Sequence, residues 1–432
     1  MAMAVRTGEE TCQVQVVCLD ELVPLDDRLR RVEAVVSWGA VRATAAPFYT
    51  DFGRPSVDPV VLVKLFLVGA LRGVDSMREL LRLAEVDLSI RRFLGYGLTE
   101  ALPHHSTLSH AQCVRFAESS VFEQLFTQVL AQCRQRGLLD GRRLIVDATH
   151  VEADAALRSL RAGLTVIDGD GDGDGDGDGE RSGGDDDDAS GGRPPLAVAA
   201  PRSGPTPRRK ASNATAVSVT DLDARLRHKP GQRPHLVHRA QVATDPKARI
   251  VVCVQAERAT GHEGAALPAI VRRARWSGHA ASEVGADRGY AAKETYRELD
   301  ALGVTAFIPP QAHQAKKGIE AQAARTRCTT PAGVRMAIDR MAHGEGAISE
   351  LKLQHGLGRA RRRGTAALQV QLLLAATAIN LKRLLSRPEA AANPSAGDRD
   401  QPTNRPRLLI ERCARWLTWP TASASATSST GS

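Results

Sequence analysis

A low-complexity stretch interrupts the chain from about residue 164 to residue 216, and it leaves two flanks from which any folded unit must be built. Gly-Asp repeats come first, followed by a run rich in Pro, Ser, Arg and Lys. This composition buries too little apolar surface to offset the entropy of ordering, so we predict a disordered acidic insertion. Calcium-binding repeat turns are disfavoured, because the repeats lack the alternating apolar residue that such turns bury.

Charge is distributed unevenly along the chain. Residues 168–188 hold eleven acidic residues against the single Arg181, a net charge of −10. Because the whole chain carries +9, the remaining residues carry +19. This basic remainder is richer in Arg than in Lys, and the guanidinium group binds phosphate through paired hydrogen bonds. The charge pattern therefore predicts a polyanionic partner such as nucleic acid.

Two further features concern the cellular compartment. The seven cysteines are scattered and never form a close pair with metal-ligand spacing, which favours free thiols in a reducing environment. No signal-peptide pattern is found, and the longest apolar runs are broken by charged or polar residues. We therefore expect a soluble cytoplasmic protein with no membrane partner.

The first flank, residues 1–137, has helical patterning. Asp58 and Pro59 are typical of a helix cap and first turn, and the apolar run 60–71 continues that helix. The other predicted helices are a segment around Glu21 to Trp38, one from Ser76, one over Asp87 to Leu94, and a long amphipathic helix that follows the capping segment 103–109 and reaches towards Arg136. We predict an all-helical N-terminal unit.

The second flank, residues 138–385, alternates strands and helices. The apolar run Leu144 to Val146 predicts a buried central strand, and Asp147 follows it directly. The later elements are strands over 235–244 and 249–255, a helix over 264–275, a strand 283–290 with Asp287 near its end, a helix over 291–302, a strand over 304–309 and an amphipathic helix from 364 to 385. Residues 386–432 are predicted to be mostly disordered, with a short helix over Leu408 to Trp419.

Three acids stand out by position: Asp147 and Asp287 at strand ends, and Glu345 on a late helix. On that helix Glu345 and Lys352 lie on nearly one line, whereas Glu350 lies roughly 140° around the cylinder. Carboxylate oxygens suit magnesium, and two such ions roughly 3.5–4 Å apart assist phosphodiester displacement. The residues alone leave alternatives open: the first acid could cap a turn, the second could pair with its neighbouring arginine, and the third could be solvated.

Several stretches in order resemble the DDE transposases of bacterial insertion sequences. They are Gly53-Arg54-Pro55-Ser56-x-Asp58-Pro59, Phe93-Leu94-Gly95, Pro103-x-x-Ser106-Thr107-Leu108-Ser109, Val146-Asp147-Ala148-Thr149, Ala286-Asp287-Arg288-Gly289-Tyr290, Glu345 with Lys352, His355-Gly356-Leu357 with the arginines after it, and Asn380-Leu381-Lys382-Arg383-Leu384. Together they cover about residues 48–160 and 215–385. The insertion soon after the first aspartate is a departure, and Arg340 only loosely matches the arginine that usually precedes the third acid.

The resemblance implies an α-helical N-terminal domain that binds DNA, over residues 1–137, and an α/β ribonuclease-H-like catalytic domain over 138–385. It implies that Asp147, Asp287 and Glu345 bind Mg²⁺, with Mn²⁺ as a substitute. The protein would cut double-stranded DNA at the terminal inverted repeats and join the 3′-hydroxyl ends to target DNA, as a homodimer on DNA. The residues expected to contact phosphate are Lys352, Arg359, Arg361, Arg362 and Arg363.

Two alternatives to a transposase remain at this level. One is a catalytically decayed DNA-binding protein derived from a transposase, and the other is a ribonuclease-H-like nuclease without strand transfer. Within the N-terminal unit, a set of arginines forms either a DNA-reading face or the solvated side of a helical bundle. These arginines are Arg72, Arg78, Arg82, Arg91 and Arg92.

Overall fold

The computed structural model describes residues 18–50, 56–117, 119–162, 213, 216–228, 231, 233–311 and 318–386. The predicted acidic insertion lies almost wholly outside these residues. So do positions 53–55 of the first family-like stretch, the tail after residue 386 and its predicted helix over Leu408 to Trp419. Of the residues described, no helix combines the length and apolarity needed to cross a bilayer.

The helices lie in two groups, one before the sheet and one interleaved with it. The first group is α1 (Leu19–Leu22), α2 (Arg28–Val35), α3 (Trp38–Ala45), α4 (Pro59–Arg72), α5 (Met77–Val86), α6 (Leu88–Leu94), α7 (His105–His110) and α8 (Val121–Gln135). The second group is α9 (Leu267–Trp276), α10 (Lys293–Ala301), α11 (Ile319–Thr329), α12 (Pro331–Asp339), α13 (Glu345–Gln354) and α14 (Thr365–Ser386).

The strands are β1 (Arg143–Glu152), β2 (Leu160–Ala162), β3 (Ala216–Ser218), β4 (Arg225–Arg227), β5 (His235–Asp245), β6 (Ile250–Arg258), β7 (Glu283–Gly285) and β8 (Thr305–Phe307). The main sheet has the order β4-β5-β1-β7-β8, and β6 also pairs with β5. Strand β1 is central: it is antiparallel to β5 and parallel to β7, with Ile145 opposite both Thr244 and Gly285. The core is thus a mixed sheet.

Three predicted helix starts in the first flank are confirmed by their caps. The helical segment predicted around Glu21 to Trp38 is instead divided among α1, α2 and the first residue of α3. The Asp58 side chain accepts a hydrogen bond from Val60 N at 2.8 Å, and Pro59 occupies the first turn of α4. Ser76 and Asp87 cap α5 and α6 in the same way. Because these side chains satisfy backbone N–H groups that the helix leaves free, local sequence is sufficient to set the starts.

The single long helix predicted to reach towards Arg136 is wrong. Helix α7 passes into a π-helical turn over residues 111–115, and α8 starts only at Val121. Phe116 and Phe122 on either side of the break are both buried, and their ring centroids are 6.0 Å apart. Both rings on either side of the break therefore contribute to the core.

The ends of the insertion meet in a small two-stranded sheet. Strands β2 and β3 pair antiparallel, with Leu160 opposite Ser218 and Ala162 opposite Ala216. The insertion therefore ends at about residue 215, where β3 begins. The residues on either side of it, 160–162 and 216–218, are thus held side by side.

Helix α14 joins the helical unit to the sheet. It packs against β6 on one side and against α8 and α4 on the other, so it is buried on most sides rather than amphipathic. Its Asn380 side chain accepts a hydrogen bond from Val251 N at 2.8 Å and donates one to Val251 O at 2.8 Å. A continuous apolar core extends across both flanks as a result.

Candidate active site

Strand β1 carries Asp147 near its middle, with a side chain only 15% exposed. Burial raises the pKa of this carboxyl, the charges of Asp287 and Glu345 raise it as well, and the net pKa is about 6. The Arg340 guanidinium and the N–H of Ala148 lower this pKa but do not outweigh burial. Gly285, two residues before Asp287, lies opposite Ile145, and Arg340 lies 3.9 Å from both Asp147 and Glu345, so the three acids lie in one neighbourhood.

Asp287 reaches this neighbourhood through the parallel pairing of β7 with β1. Gly285 lies opposite Ile145 in that pairing, and Asp287 follows two residues later. Its Oδ1 atom accepts a hydrogen bond from Gly289 N at 2.8 Å, which stabilises the turn after the strand. Gly285 allows Met336 to pack closely on this strand, because a Cβ at position 285 would lie 2.5 Å from Met336 Cγ unless that side chain moved.

Glu345 is the first residue of α13 and follows a π-helical turn over residues 340–344. Gly344 lets the start of this helix approach β1 closely, since a Cβ there would lie 3.0 Å from Ile145 Cγ2 and 3.8 Å from Asp147 Cβ. The Glu345 side chain is 52% exposed. The third acid therefore borders the open side of the site.

Arg340 lies between two of these acids. Its Nη1 atom is 3.9 Å from Asp147 Oδ2, its Nη2 atom is 3.9 Å from Glu345 Oε1, and its side chain is 9% exposed. Among the residues that the structure describes, no three His, Cys, Asp or Glu side chains are arranged as a ready metal-binding group. The guanidinium thus supplies the positive charge between the acids in this conformation.

Glu350, the alternative third acid, has a different environment. Its carboxylate is 8% exposed and forms ion pairs with Lys382 and Arg383 of α14. Burial opposes its ionisation, but hydrogen bonds from His355 and Lys382 and the charge of Arg383 outweigh burial and lower its pKa to about 2. Glu350 therefore connects α13 to α14, and Glu345 is the acid of this helix that lies beside Asp147.

The cations predicted to contact phosphate do not share one surface. Lys352 Nζ donates to His150 O at 2.9 Å, on β1 beyond Asp147. The Arg361 guanidinium forms an ion pair with Asp75 at 2.7 Å, and Arg362 donates to Ser109 O at 3.1 Å. Arg361 and Arg362 thus bind the N-terminal helical unit to the segment before α14.

Arg359 and Arg363 instead line an open groove of about 500 Å³. Arg158 adds a third guanidinium to the same groove, and Glu152 and Asp154 also line it. The Arg359 side chain is 62% exposed, and its Nη2 atom lies 3.5 Å from Asp154. This groove, which we call the β1 groove, is an accessible basic surface in the second flank.

Three of the five N-terminal arginines considered as a DNA-reading face have internal partners. Arg91 is buried and donates to three backbone carbonyls. Arg72 pairs with Asp87, and Arg92 forms ion pairs with acids of α1 and α2. Their positive charge is largely compensated within the helical unit.

Arg78 and Arg82 differ from those three. Both line an open groove of about 330 Å³, together with His104 and His105. Arg78 Nε lies 3.3 Å from His105 Nε2. These four side chains form an accessible basic surface of the helical unit, which we call the α5 groove, and Glu85 also lines it.

A fourth acid near the site was not predicted from the sequence. Glu263 begins a 3-10 turn between β6 and α9, and its Oε2 atom lies 2.4 Å from the position that a Cβ of Gly289 would take. Asp287 Oδ1 lies 3.0 Å from that same position. The only local signal was an acid between a strand and a helix, which is too common to single out a site.

Two protein-family models match parts of the chain. Residues 17–112 match a model described as Transposase domain (DUF772), and residues 310–385 match one described as Transposase DDE domain. The second match contains Glu345 and the cations after it, whereas Asp147 and Asp287 precede it. No curated protein and no solved structure matches the chain.

Proposed function

We propose that this chain, whose two family matches support an insertion-sequence DDE transposase, cuts DNA at the ends of its element and joins the freed 3′-hydroxyl groups to target DNA. Asp147, Asp287 and Glu345 are the acids that we assign to this chemistry. The mixed sheet with helices around it supports a ribonuclease-H-like catalytic domain.

One observation carries the proposal. The three acids are far apart in the chain, yet β1, the turn after β7 and the start of α13 bring them into one neighbourhood. The supporting glycines, Gly285 and Gly344, allow close approach at two of these three elements. A chance arrangement of solvated or capping acids would not need close packing of these backbones.

The donor set fits a hard divalent cation such as Mg²⁺. All three groups are carboxylates, and the raised pKa of Asp147 reflects burial together with repulsion from the other two, which a cation would relieve. When bound, such an ion acts as a Lewis acid that stabilises negative charge developing on phosphate. Arg340 is placed to stabilise the same charge, since it is within 3.9 Å of both Asp147 and Glu345.

Two grooves support DNA binding outside the acidic site. We assign the β1 groove, with Arg359 and Arg363, to the phosphates of DNA near the site, and the α5 groove, with Arg78 and Arg82, to DNA at the element ends. We assign Lys352 to phosphate as well. Arg361 and Arg362 are expected to contribute less, because each already has a protein partner.

The test uses the full chain, Mg²⁺ and linear DNA that carries the element's ends. The wild-type protein should nick or cut at those ends and then join a pre-cut 3′ end to a target duplex, and gel filtration of the complex should give a dimer. Asp147→Asn and Asp287→Asn should abolish both reactions while DNA binding stays within about twofold. Retention of cleavage by either variant would refute the assigned roles.

A catalytically decayed, DNA-binding relative is the second candidate, and one observation favours it. Arg340 lies between Asp147 and Glu345, and the described acids do not form a ready metal-binding group. Wild-type protein that binds the ends but does not cut them under any Mg²⁺ or Mn²⁺ concentration would select this candidate. Cleavage without joining of a pre-cut 3′ end would select a nuclease.

A further inference from the structure

The 3-10 turn that carries Glu263 is packed directly on the turn that carries Asp287. A Cβ on Gly264 would lie 2.5 Å from Tyr290 O and 2.6 Å from Thr295 Oγ1, so only glycine allows this contact. The neighbouring His262 side chain accepts a hydrogen bond from Gly264 N at 3.1 Å and shapes the same turn. The position of Glu263 relative to Asp287 is thus set by backbone packing.

The two carboxylates flank Gly289 from opposite elements. Glu263 Oε2 and Asp287 Oδ1 lie 2.4 and 3.0 Å from the point where a Cβ of Gly289 would be. The Glu263 side chain is only 25% exposed, so water screens the repulsion between the two groups incompletely. Burial and the charge of Asp287 accordingly raise the pKa of Glu263.

Arg239 orients Glu263 but does not neutralise it fully. Arg239 Nε is buried, has no hydrogen-bond partner among the described residues and points at Glu263 Oε1 from 3.9 Å. The other guanidinium nitrogens are engaged by Glu257 Oε1, Thr260 O and Gly261 O at 3.2 to 3.3 Å. One carboxylate oxygen of Glu263 therefore faces Arg239, and the other faces the side of Asp287.

We propose that Glu263 is a fourth carboxylate of the acidic site, which binds a divalent ion jointly with Asp287. The inference rests on the proposed metal-dependent function and adds a ligand to it. A partly buried carboxylate with one oxygen oriented by an arginine and the other beside a second carboxylate has the geometry of an oriented metal ligand. The ion would remove the repulsion that the metal-free site contains.

The test measures Mn²⁺ binding to the full chain without DNA, by titration calorimetry or by the electron spin resonance signal of free Mn²⁺. Glu263→Gln keeps the shape of the side chain and removes its charge. We expect it to weaken Mn²⁺ binding by about tenfold to a hundredfold.

The matched control is Glu320→Gln. Glu320 also lies in the first turn of a helix, is 23% exposed and forms an ion pair with Arg297, but it is remote from Asp287 in the chain and belongs to α11. The Glu320→Gln variant should bind Mn²⁺ with the same affinity as the wild type. Equal affinity of Glu263→Gln and wild type would overturn the proposal.

A thermal melt without metal separates a ligand from a structural residue. If Glu263 is held against Asp287 for metal binding, Glu263→Gln relieves repulsion, and the metal-free protein melts at the same or a higher temperature. If Glu263 serves only to pair with Arg239, the same variant melts lower and keeps its Mn²⁺ affinity, which overturns the proposal.

Should Glu263→Gln fail to fold, Glu263→Asp replaces it. This variant keeps the charge and shortens the side chain, and Mn²⁺ binding should still weaken.

Asp147→Asn distinguishes failure of this inference from failure of the proposed function. Loss of Mn²⁺ binding in Asp147→Asn with full binding in Glu263→Gln rejects the fourth carboxylate alone. Absence of Mn²⁺ binding in the wild type rejects both.

Discussion

Helix α13 carries two glutamates, five residues apart, in opposite electrostatic surroundings. Glu345 is half exposed and lies beside Asp147, whose pKa is raised to about 6 by burial and neighbouring carboxylates. Glu350 is 8% exposed and pairs with Lys382 and Arg383, and its pKa is lowered to about 2. The first turn of this helix therefore adds negative charge to the site around Asp147. Its second acid is paired with cations of α14.

The two glutamates differ in charge compensation. Glu350 is paired with cations, whereas Glu345 lies beside a second carboxylate and could still bind a cation. A fully paired buried acid offers no binding capacity for a further cation, and its removal destabilises the fold because buried partner charges are left unpaired. A group of repelling acids costs stability, and it persists only where another role requires it. The predictions below test this division, beginning with the largest expected effect.

The strongest test replaces each glutamate by glutamine and measures cleavage of element-end DNA. Glu345→Gln should lower the cleavage rate by about 10³-fold or more, because a ligand that acts on the transition state is lost. Glu350→Gln should keep most of the activity at a temperature where it is folded. Equal losses in the two folded variants would remove the functional distinction between the glutamates.

Equilibrium unfolding in urea should show the reverse order. Glu350→Gln should lose about 2 kcal/mol, because two charge-assisted contacts between α13 and α14 are weakened and partly buried cations lose their partner. Glu345→Gln should change the free energy of unfolding by less than about 0.5 kcal/mol, since its side chain is half exposed. A Glu350→Gln protein as stable as wild type would show that the pairing contributes nothing net.

Acid titration sharpens the same contrast. The folded-state pKa of Glu350 is about 2, below its ordinary value of 4.5, so its contribution to stability is present above pH 4.5 and is lost as pH falls towards 2. The stability difference between wild type and Glu350→Gln should therefore shrink over this range, with a slope of at most about 1.4 kcal/mol per pH unit. A difference that stays constant down to pH 2 would contradict the lowered pKa.

The smallest effect is expected from the arginines, of which two line the open β1 groove and two contact the N-terminal helical unit. Neutralising Arg359 and Arg363 should reduce the slope of log affinity against log salt by roughly two, about 0.9 for each lost phosphate contact. Neutralising Arg361 and Arg362, which contact the helical unit, should change that slope less and lower the melting temperature more. The outcome is read from filter binding or fluorescence anisotropy at several salt concentrations.

Local sequence was sufficient for the parts of this protein that depend on neighbours in the chain. Cap residues such as Asp58, Ser76 and Asp87 start their helices where predicted, because each satisfies N–H groups one turn away. The apolar run before Asp147 likewise predicted the central strand β1, and the segments over 235–244 and 249–255 predicted β5 and β6. The family-like stretches contain Asp147, Asp287 and Glu345, whose catalytic role stays a prediction.

Only the tertiary structure decided how these pieces use their side chains. The break between α7 and α8, the burial of α14, the internal partners of Arg361 and Arg362, and the approach of Glu263 to Asp287 all depend on contacts between segments far apart in the chain. Periodicity and capping report the preferences of a few consecutive residues, whereas these features follow from which surfaces meet once the whole core closes.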